Sequence, residues 1–543
     1  MRLLCALVWC WAVTSFGESP LLAQALDSSR LPVLVINVEH DDVPDEPKVT
    51  AYLRLYDRGD GSSNQLAQDV PSYEGWIGIE QRGASSRVLF PKTGYGIELR
   101  TAAGADTSAS LLGLPDEEDW VLHGPYSDKS LVRNALAYGL AGDLMPYAPR
   151  TRWVELVLGD DYRGLYLFTE KIKRDRGRVD ISKLKSTDLA GDSLSGGYIL
   201  KFDKGEGGQL GSDFQLPAPD LPGARPSNYV YHYPKQRDIQ PEQVDYIQAW
   251  FGEFERRLAS EQFDDPELGY APLVDMQSFV HFFLVNEVGK NVDGYRLSTY
   301  FYKDRDDKDG RLHMGPVWDF NLAFGNAYYC DANPVSGWMV YFARYCPDDS
   351  FYAPFWWPRL LESRLFRKAL VEEYHRLQGD GLLSDAALTA RVDSLVASIP
   401  PEVLVRNFDR WPVLGEYVWP NVLVPNTHEQ AVGQLKFWLD LRLDWMDRGI
   451  ALIEADTLDA ASVALGFRLS PNPGTTSVQA FELPETAYPA VVQWIDMRGA
   501  VVATHRLLGS EDWSSSLPTN SGLYTVELVT AQGETLRTRW QRR

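Results

Sequence analysis

The amino-acid sequence predicts an α+β protein that ends in a small β-sandwich, and three observations lead to this class. Short runs with apolar residues at alternate positions fill the chain from about residue 30 to 205, which is typical of strands. Apolar residues recur every three or four positions from about residue 241 to 450, which is typical of helices. Short alternating runs with glycine turns return after about residue 456, on the scale of an immunoglobulin-like module.

Length, composition and charge narrow the classes of partner. The chain has 543 residues, of which 44% are hydrophobic and 12% aromatic, so it favours two to four domains with substantial cores. The formal net charge is −22. A nucleic acid or an anionic membrane surface is therefore disfavoured as the main partner, because like charges repel.

The first 25 residues have the pattern of a secretory signal peptide. Arg2 precedes the apolar run "LLCALVWCWAVTSF", which is too short to span a bilayer. The small residues Ala23 and Ala25 in "LAQA" then provide a cleavage site near Ala25. We therefore expect residues 1–25 to be a signal peptide, the protein to be exported, and the mature chain to have no transmembrane segment.

Within the β-rich part, one segment changes its period from two to about 3.6. Strands are expected on either side of a loop around residues 83–86, and again in a hairpin that turns at Gly159. Between them, residues 131–140 have the spacing of a helix, with Ser127 or Asp128 as its N-cap.

Several helices are predicted after residue 241, and a hairpin interrupts them. The segments "PEQVDYIQAWFGEFERRLAS" and "LVDMQSFVHFFLVNEVGKN" have helical periodicity, and the second ends near Gly289. Further helices are predicted in "SRLFRKALVEEYHRLQ", "SDAALTARVDSLVASI" and "HEQAVGQLKFWLDLRLDWMDRGI". The acidic stretch "DRDDKDG" does not fit a calcium loop, because Arg305 occupies the first ligand position, so we interpret it as a hairpin turn.

Two cysteines remain after the signal peptide. Cys330 and Cys346 are both flanked by aromatic residues, and in an oxidising compartment we expect them to form a disulfide. Two buried free thiols are the alternative. A metal site is disfavoured, since the sequence has neither CxxC nor clustered histidines.

The hairpin is bracketed by two aspartates, Asp293 and Asp319, and the second stands between Trp318 and Phe320. Phosphoryl transfer needs one carboxylate to orient the acceptor hydroxyl, a second to hold Mg²⁺, and basic groups for the phosphates. A hairpin brings such residues close together. Aspartates in loops are commonly turn formers, and a carboxylate pair would also suit a hydrolase that acts on polysaccharide. The apolar neighbours of Asp319 favour a functional site.

Five segments together resemble the signature blocks of the CotH kinase family: "RGASSRVLFPKTGYGIEL", "DWVLHGPYSDKSLVRNALA", "GLYLFTEKIKR", "NVDGY" and "GPVWDFNLAFGN". The resemblance covers roughly residues 30–450 and implies a CotH kinase-like domain over residues 26–455. It implies an atypical kinase-like fold with a β-rich lobe (about 30–205) and a helical lobe (about 206–455). It also implies transfer of phosphate from ATP, with Mg²⁺ or Mn²⁺, to serine or threonine hydroxyls of exported proteins.

The resemblance also implies roles for individual residues. Asp293 matches the catalytic aspartate and Asp319 the metal-binding aspartate. Lys92 and Arg82 match basic residues near the nucleotide phosphates, and Glu170 matches a hinge-like acidic position. The alternatives are structural: Lys92 as a solvated edge lysine, Arg82 bound to carbonyls of its own turn, and Glu170 paired with a surface lysine.

Three further residues complete the predicted nucleotide and metal site. Trp318 is expected to flank the base. Ser298 stands where family members often carry an asparagine ligand, and Asn321 replaces the last carboxylate of the usual "WDFD". Both positions are predicted metal ligands, and both differences remove ligand strength or negative charge. A catalytically degenerate protein that binds or supports other molecules at the surface is therefore an alternative.

The last 88 residues, 456–543, resemble the sorting domain of type IX secretion cargo in "LSPNP", "VQWIDMRGAVV" and "SGLYTVEL". This resemblance implies an organism of the Bacteroidota type, passage through the periplasm, and release outside the outer membrane or attachment to it. The type IX machinery would then be a partner. An ordinary adhesive β-sandwich is the alternative.

Overall fold

The computed structural model describes residues 26–38, 42–205 and 209–455, and the strands of the last segment. The predicted signal peptide lies outside the described residues. The described chain contains both β-sheets and α-helices, so the predicted α+β class is confirmed. Among the described residues, no helix combines the length and apolarity that crossing a membrane requires.

The strands before the last segment are β1 (Ser28–Ser29), β2 (Val33–Val38), β3 (Val49–Tyr56), β4 (Asn64–Gln65), β5 (Tyr73–Arg82), β6 (Gly94–Arg100), β7 (Asp119–His123), β8 (Thr151–Leu158), β9 (Asp161–Glu170), β10 (Tyr198–Phe202), β11 (Phe214–Leu216), β12 (Ser227–Tyr233), β13 (Thr299–Lys303) and β14 (Leu312–Met314).

The helices are α1 (Ser85–Leu89), α2 (Arg133–Leu144), α3 (Pro241–Ala259), α4 (Met276–Gly289), α5 (Phe342–Tyr345), α6 (Trp356–Glu362), α7 (Arg364–Gly379), α8 (Asp385–Ala397), α9 (Pro401–Arg410) and α10 (His428–Glu454).

The first part of the chain closes into a barrel in the order β2-β3-β5-β6-β7-β9-β8. Neighbouring strands are antiparallel except β2 and β8, whose parallel pairing closes the barrel. Alternate apolar residues point inward, such as Leu53, Ile77 and Ile97, because successive side chains of a strand face opposite sides. The barrel has its own core, and β9 is buried on both faces.

A second antiparallel sheet has the order β11-β12-β10-β13-β14. It crosses the predicted lobe boundary at residues 205 and 206, because β10 pairs with β12 and β13 from the predicted helical part. Local periodicity does not reveal such long-range pairing. The kinase-like two-lobe arrangement therefore stays a prediction.

Helix α4 lies in the core that the second sheet shares with the helices. It leads directly into the loop that carries the first aspartate of the hairpin. All its residues from Ser278 to Gly289 are buried, as expected for a helix that is apolar on every side. The Asp275 carboxylate caps its N-terminus, and Lys290 ends it in the left-handed conformation. The chain then enters the loop that carries Asp293, and the predicted end near Gly289 is confirmed.

The predicted N-cap of α2 is wrong. The helix begins at Arg133, and neither Ser127 nor Asp128 is its N-cap. The Asp128 carboxylate instead accepts hydrogen bonds from the N–H groups of Ser130 and Arg133, at 3.1 and 2.9 Å. Asp128 therefore stabilises the turn before the helix, where Leu131 adopts a φ of 69° that interrupts helical geometry.

Cys330 and Cys346 form the predicted disulfide, with their Cα atoms 5.4 Å apart. It closes a short segment between β14 and α6. The alternative of two free thiols is therefore excluded.

The described strands of the last segment form two antiparallel sheets. One has the order β15-β16-β19 and the other β18-β17-β20-β21. These strands are β15 (Arg468–Pro471), β16 (Ser477–Phe481), β17 (Ala490–Asp496), β18 (Val501–Leu507), β19 (Ser515–Ser516), β20 (Gly522–Val529) and β21 (Thr535–Arg542). The predicted strand content is confirmed, and the sorting-domain assignment stays a prediction.

Candidate functional site

A cleft of about 520 Å³ lies where the barrel meets the end of the second sheet. Its walls come from the β5–α1 turn, the end of β10, the loop before β13 and the loop after β14. Most predicted site residues line it: Arg82, Lys92, Asp293, Ser298, Trp318, Asp319 and Asn321. Residues far apart in sequence thus meet in one concave surface, as in most ligand sites.

Asp319 is held through its backbone by helix α2. Its N–H donates to Oη of Tyr138 at 3.1 Å, and the N–H of Phe320 donates to Oδ1 of Asn134 at 2.7 Å. Asp319 has a φ of 65°, a left-handed conformation that aspartate tolerates better than most residues. Trp318 stacks on Tyr138, with ring centroids 5.8 Å apart. These contacts fix the direction of the Asp319 side chain.

Asp293 is oriented by a buried arginine. Oδ1 of Asp293 accepts a hydrogen bond from Nη2 of Arg296 at 2.9 Å. Arg296 is itself bound to the carbonyls of Val292 and Phe351, each at 2.9 Å, and it is 3% exposed. The carboxylate is therefore fixed at the cleft wall, where its exposed fraction is 18%.

A third carboxylate, Asp203 at the end of β10, enters the same cleft. Burial raises the pKa of Asp319 to about 7, and the negative charges of Asp293 and Asp203 act in the same direction. Asp203 and Asp293 therefore both lie close enough to Asp319 to disfavour its charged form. Sequence reasoning missed Asp203, and its signal was weak: an aspartate between two lysines in "KFDK" after a predicted strand.

Basic side chains face these carboxylates. Arg82 and Lys204 line the cleft, and their positive charges act to lower the pKa of Asp319. Lys201 also lines the cleft and donates from Nζ to Oδ2 of Asp203 at 2.6 Å. Crowded cations of this kind suit a polyanionic ligand.

The turn after β5 forms part of the cleft wall that carries these basic side chains. Gly83 has a φ of 105°, and a Cβ there would come within 2.1 Å of Oγ of Ser86. Glycine is therefore required for the tight turn that places Arg82, Ser85 and Ser86 along the cleft.

Lys92 lies in the cleft wall, but its ammonium group is hydrogen-bonded to a residue that does not line the cleft. The residue is 1% exposed, and its Nζ donates to Oδ1 of Asn407 on α9 at 2.7 Å. Burial and the nearby charge of Arg163 lower its pKa well below the usual range. The alternative of a solvated edge lysine does not fit a buried residue. Its predicted contact with nucleotide phosphates stays a prediction.

Glu170 does not line the cleft. It is fully buried, and its two carboxylate oxygens accept hydrogen bonds from Nε and Nη2 of Arg150 at 2.9 and 2.7 Å. The structural alternative predicted a lysine partner on the surface, and the observed partner is an arginine. The predicted hinge-like role stays a prediction.

Ser298 and Asn321 both line the cleft. The N–H of Ser298 donates to Oδ1 of Asp203 at 3.3 Å, and the residue has a left-handed φ of 48°. The carbonyl of Asn321 accepts from Nδ2 of Asn326 at 2.8 Å. Ser298 is thus joined to Asp203 through its backbone, and the predicted roles of Ser298 and Asn321 as metal ligands stay predictions.

The donor types in the cleft suit a divalent cation, because Mg²⁺ and Mn²⁺ prefer carboxylate and amide oxygens, and Asp203, Asp293, Asp319 and Asn321 line the cleft. The oxygens of the three carboxylates do not all lie within 4.8 Å of one another. Among the described residues, no hydrogen-bond donor contacts the Asp319 carboxylate, which is half-buried between like charges. A bound cation would remove this repulsion.

A second acidic cluster lies outside the cleft, at Glu117, Glu118 and Asp119. Lys173 is paired with all three carboxylates, and Lys171 donates to Asp119 at 3.0 Å. Arg178 lies 3.8 Å from Glu117, so three cations face the three carboxylates and the cluster is an ion-pair network at the barrel end.

Fold and site together define an α+β protein with a carboxylate cluster and facing cations in one cleft, an arrangement suited to a metal-bound phosphorylated ligand. The profile of the family described as CotH kinase protein matches residues 79–446. The chain belongs to this family, which supports a kinase-like function that in general uses a nucleotide and a divalent metal. No curated protein matches the chain at a significant level.

Proposed function

We propose that this protein is an exported, ATP- and Mg²⁺-dependent protein kinase. It transfers the γ-phosphoryl group of ATP to serine or threonine hydroxyls of other exported proteins. The observation that carries the proposal is that Asp293 and Asp319 line one cleft together with the basic residues Arg82 and Lys201. Family membership supports it.

In this proposal Asp293 orients the acceptor hydroxyl and receives its proton. The hydroxyl oxygen forms a bond to the γ-phosphorus, the bond between that phosphorus and the bridging oxygen breaks, and ADP leaves. The hydrogen bond from Arg296 keeps the Asp293 carboxylate in place for this transfer.

Asp319 and Asn321 would hold the divalent ion, which neutralises phosphate charge when bound. Arg82 and Lys201 would contact the phosphates, since both line the same cleft as Asp319. Lys92, whose ammonium is bound to Asn407, lines the cleft as well, and its predicted contact with the phosphates remains part of the proposal. We also propose that the barrel and the helical part correspond to the two lobes of a kinase, with the cleft between them.

Export is the second part of the proposal. The signal pattern in residues 1–25 and the Cys330–Cys346 disulfide both fit an oxidising compartment. We propose that residues 456–543 are a type IX sorting domain that directs the protein through the periplasm to the outer-membrane surface or the medium. Deleting residues 456–543 in the native host should then trap the protein in the periplasm, as fractionation and immunoblotting would show.

Nucleotide binding tests the proposal most directly. Millimolar ATP with Mg²⁺ should raise the melting temperature of the wild type, and Asp319→Ala should abolish the rise. Asp307→Ala is the matched control, because Asp307 is exposed at the turn of the same hairpin and should leave the rise intact. Transfer of label from γ-labelled ATP to co-exported proteins should then be lost in Asp293→Ala.

The alternative is a surface binding protein on a degenerate kinase fold, which the residues Ser298 and Asn321 favour. Absence of any nucleotide-dependent stabilisation in the wild type would support this alternative. Stabilisation without phosphate transfer would show that nucleotide binding remains and that the catalytic step has been lost.

A further inference from the structure

A second cavity, of about 540 Å³, shares no lining residue with the cleft. Gly315 and Pro316 line this cavity, whereas Trp318 and Asp319 line the cleft, so one short segment contributes to both. The volume is within the range of small-molecule sites. We call it the arginine cavity, because three arginines line it: Arg150, Arg176 and Arg178.

Apolar and aromatic side chains form a further part of the lining: Met145, Pro146, Tyr147, Tyr302, Met314 and Pro316. Met145 and Met314 are buried, and the ring of Tyr302 is stacked on that of His313, with centroids 5.0 Å apart. These contacts hold the side chains in place. The cavity therefore offers a preformed apolar surface to the flat body of a small ligand.

The guanidinium of Arg178 has a hydrogen-bonding group without a partner. Its side chain is 2% exposed, and Nη1 donates to the carbonyl of Lys171 at 2.7 Å. The carboxylates of Glu117 and Glu170 lie 3.8 and 3.9 Å away, too far for hydrogen bonds, and each is bonded to a closer cation. Among the described residues, nothing accepts from Nη2 of Arg178, although this atom is buried. Buried N–H groups without an acceptor are rare and costly, and a ligand oxygen would satisfy this one.

The charges that line the cavity suit a ligand with one negative group. Arg150 is paired with Glu170, whose carboxylate oxygens accept its hydrogen bonds at 2.9 and 2.7 Å. Arg176 is exposed, and the lining contains one carboxylate, that of the exposed Asp180. Two further arginines thus line the cavity with one fixed negative charge, which leaves one positive charge for an anion.

We propose that the arginine cavity binds a small organic anion, with a flat apolar body and one carboxylate group. The apolar body packs against the methionine and tyrosine side chains, and the carboxylate accepts hydrogen bonds from Nη2 of Arg178 and from Arg176. A carboxylate matches the planar fork of donors that arginine presents. The inference does not rest on the proposed function, because the cavity is separate from the cleft.

Binding of 2-naphthoate to the full mature chain tests the proposal, with the uncharged 2-naphthamide as the comparison ligand. Titration calorimetry and saturation-transfer NMR measure both affinities. Naphthoate should bind at least about tenfold more tightly than naphthamide, because hydrogen bonds to a charged acceptor are about twice as strong as neutral ones. A cavity that holds only water around Arg178 would bind neither.

Two pairs of variants locate the probe. Gly142 on α2 lines the cavity, and a Cβ there meets nothing within 4 Å, so Gly142→Phe fills open space and should weaken naphthoate binding at least about tenfold. Gly433→Phe is the matched control, because Gly433 is an exposed glycine of α10 with equally open surroundings and lines neither site. Arg176→Gln should reduce the preference for naphthoate over naphthamide. Arg237→Gln, at an arginine that does not line the cavity, should leave it unchanged.

The results that overturn the proposal are distinct from those that support it. No binding of naphthoate by the wild type at millimolar concentration would overturn it, as would equal affinity for naphthamide. Wild-type affinity in Gly142→Phe would place the probe elsewhere and would also overturn it. If Gly142→Phe does not fold, Arg176→Gln decides: an unchanged preference overturns the proposal, and a reduced preference supports it. Stabilisation by ATP with Mg²⁺, which tests the proposed function, is measured separately and is independent of these outcomes.

Discussion

Replacement of Arg442 by methionine should strongly destabilise the helical core. Arg442 on α10 and Glu287 on α4 are both fully buried and form an ion pair at 3.0 Å. Nη1 of Arg442 also donates to the carbonyls of Val335 and Gly337, and Glu287 accepts from the hydroxyl of Tyr295. The pair therefore joins two helices to the segment that follows the Asp319 loop.

The magnitude follows from desolvation. Burial raises the pKa of Glu287 and lowers that of Arg442 to about 10, so each charge is costly there and depends on its partner. Removing one member leaves an uncompensated buried charge, which costs about 3–5 kcal/mol in the free energy of unfolding. Adding Glu287→Gln removes that charge and keeps a carbonyl acceptor. The double variant should recover about 1–3 kcal/mol of the loss.

Urea denaturation followed by circular dichroism measures these differences. Arg448→Met is the control, because Arg448 is exposed on the same helix and should change stability by less than about 0.5 kcal/mol. A loss for Arg442→Met no larger than that of the control would refute the reasoning. So would a double variant less stable than Arg442→Met alone.

Three further predictions concern the cleft, the disulfide and pH. Tyr138→Phe leaves the N–H of Asp319 without its acceptor, and should lower the unfolding free energy by about 1–3 kcal/mol and reduce stabilisation by ATP with Mg²⁺ in thermal-shift assays. Replacing Cys330 and Cys346 by alanine opens a loop of 16 residues and should cost roughly 3 kcal/mol in urea denaturation, as should reduction by dithiothreitol. Although burial alone would raise it, hydrogen bonds from an arginine and a histidine lower the pKa of Glu373 to about 2. Its stabilising contribution is complete above its ordinary pKa and is lost as pH falls from about 4.5 towards 2, so Glu373→Gln should flatten the pH dependence of unfolding there.

Each of these predictions has its own contrary result. Tyr417→Phe, at an exposed tyrosine, is the control for Tyr138→Phe, and equal effects would contradict the positioning role. Unchanged stability on reduction would show that the disulfide does not restrict the unfolded chain. An identical acid response in wild type and Glu373→Gln would show that other groups control unfolding in that range.

Local patterns were sufficient for elements whose formation depends on nearby residues. The end of α4 near Gly289 and the hairpin turn at Gly159 were predicted correctly, because helix ends and tight turns have strong local signals. The N-cap of α2 was predicted wrongly. Asp128 accepts backbone hydrogen bonds as an N-cap residue does, but it lies five residues before the helix begins.

The candidate site was predictable only in part. Asp293 and Asp319 were found because they stand at the two ends of a hairpin and match a family pattern. Asp203 was missed because its neighbour in space, Ser298, is 95 positions away along the chain. The hydrogen bond between Lys92 and Asn407, 315 positions away, could not be predicted from the sequence for the same reason.

The sequence by itself determined the α+β class, most helices, the pairing of Cys330 with Cys346 and the two hairpin aspartates. These follow from side-chain period, turn chemistry and short separations, which act between residues close along the chain. Only the tertiary structure decided the closure of the barrel, the sheet that crosses the predicted lobe boundary, and the grouping of Asp203 with the other two carboxylates. Those features depend on hydrogen bonds and charges between segments that meet only when the chain is folded.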